Sequence, residues 1–140
     1  MITPSPTIKI DPSLARGELL SFGPSNAYLV MGVPNTSYQL HLVPTAPVTT
    51  QPGKRLIGTI RLEARRVDAV GTGGQFVEPV FGRPRRVQGT VIAHAGNALV
   101  IDAGIPIHAV LTDARQKAEQ FAVGQMVSFD AVAGATFTPQ

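Results

Sequence analysis

Histidine, cysteine and paired carboxylates are the side chains that most often perform chemistry, and this chain is sparing with all of them. Its 140 residues contain no Cys, which removes disulfides, zinc–thiolate sites and thiol nucleophiles. His41, His94 and His108 are the histidines. A zinc or hydrolytic centre wants two or three imidazoles at short helical spacing with a carboxylate beside them. Neither an H-x-x-x-H nor an H-E-x-x-H arrangement occurs, so the three read as surface or satisfied side chains. Asp102, Asp113 and Asp130 fall at the ends of expected strands, where Asp ordinarily caps or turns the backbone. The six serines have no G-x-S-x-G context. Gly71-Thr-Gly-Gly74 lacks the Lys-Ser/Thr ending and the following helix of a phosphate loop, and reads as a turn. No catalytic role, metal or cofactor is expected.

The arginines are more informative. The net charge is only +3, but eight of the twelve basic residues lie between Lys54 and Arg86. With Glu63, Asp68 and Glu78, that stretch carries +5, and the rest of the chain carries −2. Such an asymmetry is the footprint expected of an anionic partner. Leu56–Val70 and Gln75–Gly82 read as two strands joined across Gly71–Gly74 into a hairpin. On it, Arg61, Arg65 and Arg66 would flank a groove with Arg83, Arg85 and Arg86, beside Phe76 and Phe81. Guanidinium on phosphate and aromatic ring on base is how single-stranded nucleic acid is commonly held. Solvated arginines on the outside of a sheet, which also blunt edge pairing, account for the same residues. The scarcity of aromatics, six Phe and two Tyr with no Trp, favours that second reading.

The elements that must position these residues read as β-structure. At 44 % hydrophobic and 15 % charged, the chain is too apolar to be disordered, and its length suits one domain or two very small ones. Fourteen Gly and twelve Pro without a period announce many turns. Ser37–Val43 alternates, with Tyr38, Leu40 and Leu42 on one face and Ser37, Gln39 and His41 on the other. Leu56–Val70 alternates with a bulge expected at Arg65-Arg66, and Pro79 puts Gln75–Phe81 at an edge. Val87–Ala93, Ala98–Ala103 and Ile107–Leu111 are three further strands, and Gln125–Ala133 another. Asp113–Phe121 has the residues of one short helix, with Ala114, Ala118 and Phe121 as its apolar stripe. Val91, Leu99, Ile101, Leu111, Phe121 and Val127 are the expected core.

Three strands, a helix and a closing strand over Gln88–Phe137 resemble the OB-fold, a five-stranded Greek-key barrel. The resemblance rests on Gly89-Thr-Val-Ile92, Asn97-Ala-Leu-Val-Ile-Asp102, Ile107–Leu111, the helix and Gly124–Ala133. It implies an all-β, oligonucleotide- or oligosaccharide-binding barrel. Only Thr136–Gln140 remains for a fifth strand, so closure needs residues from elsewhere.

An internal repeat would supply them. Asn26-Ala-Tyr-Leu-Val-Met-Gly-Val-Pro34 parallels Asn97–Pro106, and Gly17–Leu20 parallels Gly89–Ile92. Gly53 pairs with Gly124, and Leu40 with Leu111, at the 71-residue offset that links Asn26 to Asn97. The expected organisation is an arm at 1–13, a first OB-like unit at 14–82 carrying the Arg-rich hairpin, and a second at 83–140.

Met1–Lys9 has no basic start followed by an apolar run, and the uncharged span Leu19–Gly53 is broken by five prolines, so neither a signal peptide nor a membrane helix is expected. A cytoplasmic protein follows as the expectation. The alternative to a nucleic-acid-binding module is an assembly protein whose open β-edges and Pro-rich arm pair between copies in a homo-oligomer.

Overall fold

The computed structural model describes residues 11–140. The arm expected over 1–13 therefore lies outside the described residues, apart from Asp11, Pro12 and Ser13. Strand makes up 52 % of the structure and helix 5 %, so the fold is all-β as expected. The strands are β1 (Ala15–Phe22), β2 (Leu29–Gly32), β3 (Gln39–Pro44), β4 (Arg55–Ala64), β5 (Asp68–Ala69), β6 (Phe76–Glu78), β7 (Phe81–Gly82), β8 (Arg86–Ala95), β9 (Ala98–Asp102), β10 (Pro106–Leu111), β11 (Met126–Asp130) and β12 (Ala135–Pro139). Their sequences explain their faces. Along β4, Leu56, Gly58, Ile60, Leu62 and Ala64 are buried, and Arg55, Arg61 and Glu63 point out, which is the period of two a half-buried strand requires.

Five strands close into a barrel compatible with an OB-like architecture. β1 pairs antiparallel with β2 and β4, and β2 pairs antiparallel with β3. β12 then runs parallel to β3 and antiparallel to β4, which completes the ring. Closure leaves no bare edge among these strands.

A second ring of pairings shares β4. β8, β9 and β10 form an antiparallel meander, and β11 lies antiparallel to β8. The far half of β4 runs parallel to β10, from Arg61 opposite His108 to Ala64 opposite Leu111. A bridge between Ala64 and Ala131 joins β4 to the end of β11. Arg65 N–H donates to the Asp130 carbonyl at 2.9 Å there, and Val132 N–H to the Glu63 carbonyl at 2.8 Å. So the chain that follows β4 completes the ring of β8–β11, and the chain that follows β11 completes the ring of β1–β4. The residues from elsewhere that closure needs are those of β4. One contiguous apolar core fills both rings and contains all six expected core residues.

The two meanders match in register. Leu19 stands opposite Met31 and Val91 opposite Ile101, and a bulge follows each, between Leu19 and Ser21 and between Val91 and Ala93. Gly53 and Gly124, at φ 90° and 95°, donate their amides to the carbonyls of Leu19 and Val91, each at 2.7 Å. A β-carbon at Gly17 would collide with the carbonyl oxygen of Gly32, and one at Gly89 with that of Asp102. The register displaces two of the residue pairs expected from the sequence. Phe22 faces Leu29 and His94 faces Leu99, so Asn26 sits three residues before its strand partner and Asn97 two. The longer β1–β2 connection, which holds a 3-10 turn at Pro24–Asn26, causes the slip. Leu40 matches Ile107 rather than Leu111, because each faces the residue opposite the bulged strand, Met31 and Ile101.

Two local expectations are corrected. The helix over Asp113–Phe121 is a turn at Asp113 followed by a single 3-10 turn, Ala118–Gln120. The Gln116 carboxamide accepts from Val67 N–H and donates to the Val67 carbonyl, and Lys117 is extended (φ −130°, ψ 148°), which breaks the helix. Nine residues of ordinary propensity do not overcome such a tertiary anchor. Ala118 and Phe121 are buried nonetheless, and Ala114 is exposed. The Arg-rich hairpin does not form either. β4 ends at Ala64, and its last residues have β10 on one edge and Ala131 on the other, so neither edge is left for Gln75–Gly82. Beyond Gly71–Gly74 the chain pairs elsewhere, β6 with β8 and β7 with β3.

Candidate functional site

Phe81–Arg86 is the best-anchored basic segment. Gln39 N–H donates to the Val80 carbonyl at 2.8 Å, and β7 continues alongside β3 with Phe81 opposite Gln39. Arg85 N–H donates to the Glu78 carbonyl at 2.8 Å, and the Arg85 carbonyl accepts from Ala131 N–H at 2.7 Å. Pro84 is buried. With the backbone held from both sides, the Arg83, Arg85 and Arg86 side chains are left exposed. Arg83 lies across Gly134, where a β-carbon would collide with its Cδ. Arg86 makes a 3.0 Å ion pair with Asp130, both well exposed, and pairs of that kind add little stability.

A basic track runs outward from this segment. A depression of about 370 Å³ is bordered by Phe81, Arg83, Arg85 and Arg86, with Glu78 the one carboxylate on its rim. A second, of about 230 Å³, shares Arg83 and Arg85 and reaches Ala133. A third, of about 290 Å³, begins at Ala133 and Gly134, passes Glu63 and ends at Arg61. Five of the eight residues expected from the sequence therefore share one surface: Arg61, Phe81, Arg83, Arg85 and Arg86. Arg65 is exposed in the bend just after β4 and lines none of these depressions. Arg66 lies elsewhere, 3.2 Å from Asp68 and in a separate depression with Asp113 and Arg115. Phe76 is half-buried on β6 opposite Gln88 and is not brought to Phe81.

Sequence reasoning missed the aromatic partners of Phe81. Tyr28 stacks on His41 with ring centroids 4.5 Å apart and 12° between planes. Phe81 meets the other side of the site edge-on to His41, at 4.9 Å and 74°. Phe81 is 64 % exposed. The alternation of Ser37–Val43 did place His41 on the outer face. Nothing in the sequence links it to Tyr28, which comes from the β1–β2 connection, or to Phe81, which follows β6. His41 Nε2 is buried without a hydrogen-bond partner among the described residues. The row Tyr28–His41–Phe81 thus lies across β3 and ends where the basic track begins.

Arg16 Nε and Ser128 Oγ are likewise buried without a hydrogen-bond partner among the described residues, and several other polar groups are satisfied locally. The His94 Nε2 donates to the Phe121 carbonyl and that of His108 to the Ser13 carbonyl. The guanidinium of Arg115, and then its backbone N–H, hold the Asp113 carboxyl below the usual carboxylate range. Among the described residues no group of three or more His, Cys, Asp or Glu is placed to hold a metal ion, and no helix is long and apolar enough to cross a membrane. Compared with protein-family models, with curated proteins and with solved structures, the chain shows no match to any of them.

Proposed function

We propose that this protein is an OB-like binding module that holds single-stranded nucleic acid across β3, with bases on the Tyr28–His41–Phe81 row and phosphates along the arginine track. The carrying observation is the aromatic row set against Arg83 and Arg85. His41 stands on the outer face of β3, with Tyr28 reaching it from the start of β2 and Phe81 from the adjoining β7, beside the second and third barrel strands that OB-like barrels use for extended ligands. Stacking on Phe81 tolerates any base, and Arg61, Arg83 and Arg85 neutralise backbone charge, so affinity is largely electrostatic and sequence-tolerant. Arg86 contributes less while it is paired with Asp130. The register match of the two meanders supports an internal duplication as the origin of the fold, with only the first copy carrying the ligand face.

Fluorescence anisotropy with a labelled oligonucleotide at several salt concentrations tests this. Three or four contacting arginines predict a log–log salt slope of roughly −2 to −3 for a single strand. Absence of binding at low salt sinks the reading.

A second reading is favoured by a different observation. Val43, Val80 and Phe81 are exposed apolar residues around β3 and β7. They would be covered if copies of this chain assemble into a homo-oligomer through that face. Sedimentation of the free protein as a monomer at high concentration sinks it.

A further inference from the structure

We infer that the cleft over Gly32 is a pocket for one unstacked guanine, an inference that rests on the nucleic-acid reading above. The cleft holds about 580 Å³, within the roughly 300–1,000 Å³ of small-ligand sites. Strand register sets Arg55, Glu18, Gly32, Gln39 and Phe81 in a single row across β4, β1, β2, β3 and β7. Gly32 is the one residue of this row without a side chain, and the row is low there between Glu18 and Gln39. Leu20 folds over Gly32, 3.3 Å from where a β-carbon on it would stand, and gives the cleft an apolar floor.

The chemistry of the rim selects the occupant. Glu18 and Arg55 bring opposite charges, so the cleft has no net attraction for phosphate, unlike the arginine track. They are register partners, yet they form no ion pair with each other among the described residues, which leaves the Glu18 carboxylate open to a ligand. A carboxylate has two acceptor oxygens side by side. Among the four bases only guanine offers two parallel donors to match them, N1–H and the N2 amino group. Cytosine and adenine offer one amino group each, and uracil and thymine one imino hydrogen. The Gln39 amide on the opposite wall can donate to guanine O6 or N7. Gln39 is the register partner of Phe81, so a strand stacked on the aromatic row passes the mouth of the cleft.

The test uses the full chain and two probes. The first is a set of oligothymidine strands with a single central dG, dA, dC or dT, measured by anisotropy. The dG strand is expected to bind about tenfold tighter, the discrimination of one bidentate base contact. Glu18→Gln, which keeps the shape but replaces one acceptor with a donor, should abolish that preference. So should Gly32→Leu, whose side chain must push Leu20 into the cleft. The second probe is the set of guanosine, adenosine, cytidine and uridine monophosphates, followed by amide NMR shifts. Their phosphate is common, so only the base can distinguish them, and the guanosine nucleotide alone should shift Gly32 and Gln39. Equal binding of all four strands overturns the guanine pocket and leaves the nucleic-acid reading standing. Binding of the guanosine nucleotide at Gly32 with no strand bound overturns the nucleic-acid reading and keeps the pocket, for a free nucleotide. Failure of both probes overturns both.

Discussion

His41 and His108 stand at the same register position of two like-paired strands, one opposite Val30 and the other opposite Val100. Their surroundings differ completely. His41 is stacked by Tyr28 and met edge-on by Phe81, and His108 Nε2 donates to the carbonyl of Ser13 at 3.0 Å. The residue matching Tyr28 by register is Ala98, which has no ring to offer. Two strand frameworks of the same design thus present one aromatic face.

Replacing Phe81 isolates that face. Phe81 is 64 % exposed, so Phe81→Ala should leave the melting temperature within error of the parent. Oligonucleotide binding should weaken by about 1–3 kcal/mol, the usual worth of one stacked base. A clear fall in melting temperature with unchanged binding would place Phe81 in the fold instead of the site.

The arginine track makes a separate electrostatic prediction. Arg83→Ala combined with Arg85→Ala should reduce the magnitude of the salt slope by about 1.4, two phosphates at 0.7 each. Gly134→Ala should weaken binding without removing any charge, because its β-carbon must displace the Arg83 side chain. Anisotropy across a salt series reads both.

The close approach of β8 to β9 predicts a stability effect far from any ligand. Gly89→Ala puts a methyl group against the backbone carbonyl of Asp102, which cannot swing away as a side chain can. The expected loss is about 1–3 kcal/mol or more in urea unfolding, the cost of an overpacked site. Gly71→Ala is the control, because nothing lies within 4 Å of a β-carbon there.

Shared strands predict shared unfolding. Phe137 on β12 is fully buried, and Phe137→Ala should cost about 3–5 kcal/mol. The loss should appear in both rings together, so amide exchange in β9, which is not paired with β12, should accelerate as much as exchange in β2. Protection surviving in β9 alone would show that the rings unfold separately.

The Asp113–Arg115 contact predicts a pH effect of known sign. Arg115 holds the Asp113 carboxyl below its ordinary value of 3.8 in the folded protein. Its contribution is therefore present above that value and is lost as the pH falls through the lower folded one. Asp113→Asn should lower the urea midpoint near neutral pH, and the gap from the parent should narrow on acidification.

Much of the fold was legible where a strand's own residues decide its face. The alternation in Ser37–Val43 and Leu56–Ala64 put the right side chains inside, and Gly53 and Gly124 were matched by spacing alone. What could not be read was pairing between distant segments. Nothing in Thr136–Gln140 says that it lies beside Val43 and Ile60, and the Arg-rich hairpin was drawn from neighbouring strands that each found remote partners. The same limit hid the site. Phe81 was visible as an aromatic among arginines, but its companions Tyr28 and His41 lie 53 and 40 residues before it in the chain.

The exchange of closing strands also has a temporal side. β12 is made after the other described strands, yet it is the piece that seals the ring begun by β1. As the chain emerges from the ribosome, β3 and β4 must wait with their inner edges unpaired while some seventy further residues, Arg65 to Gly134, are synthesised. At about 5–20 residues per second that is an interval of seconds, long enough for a vacant strand edge to meet another nascent chain. The same arrangement that ties the finished molecule together leaves the facing edges of β3 and β4 bare until β12 is made.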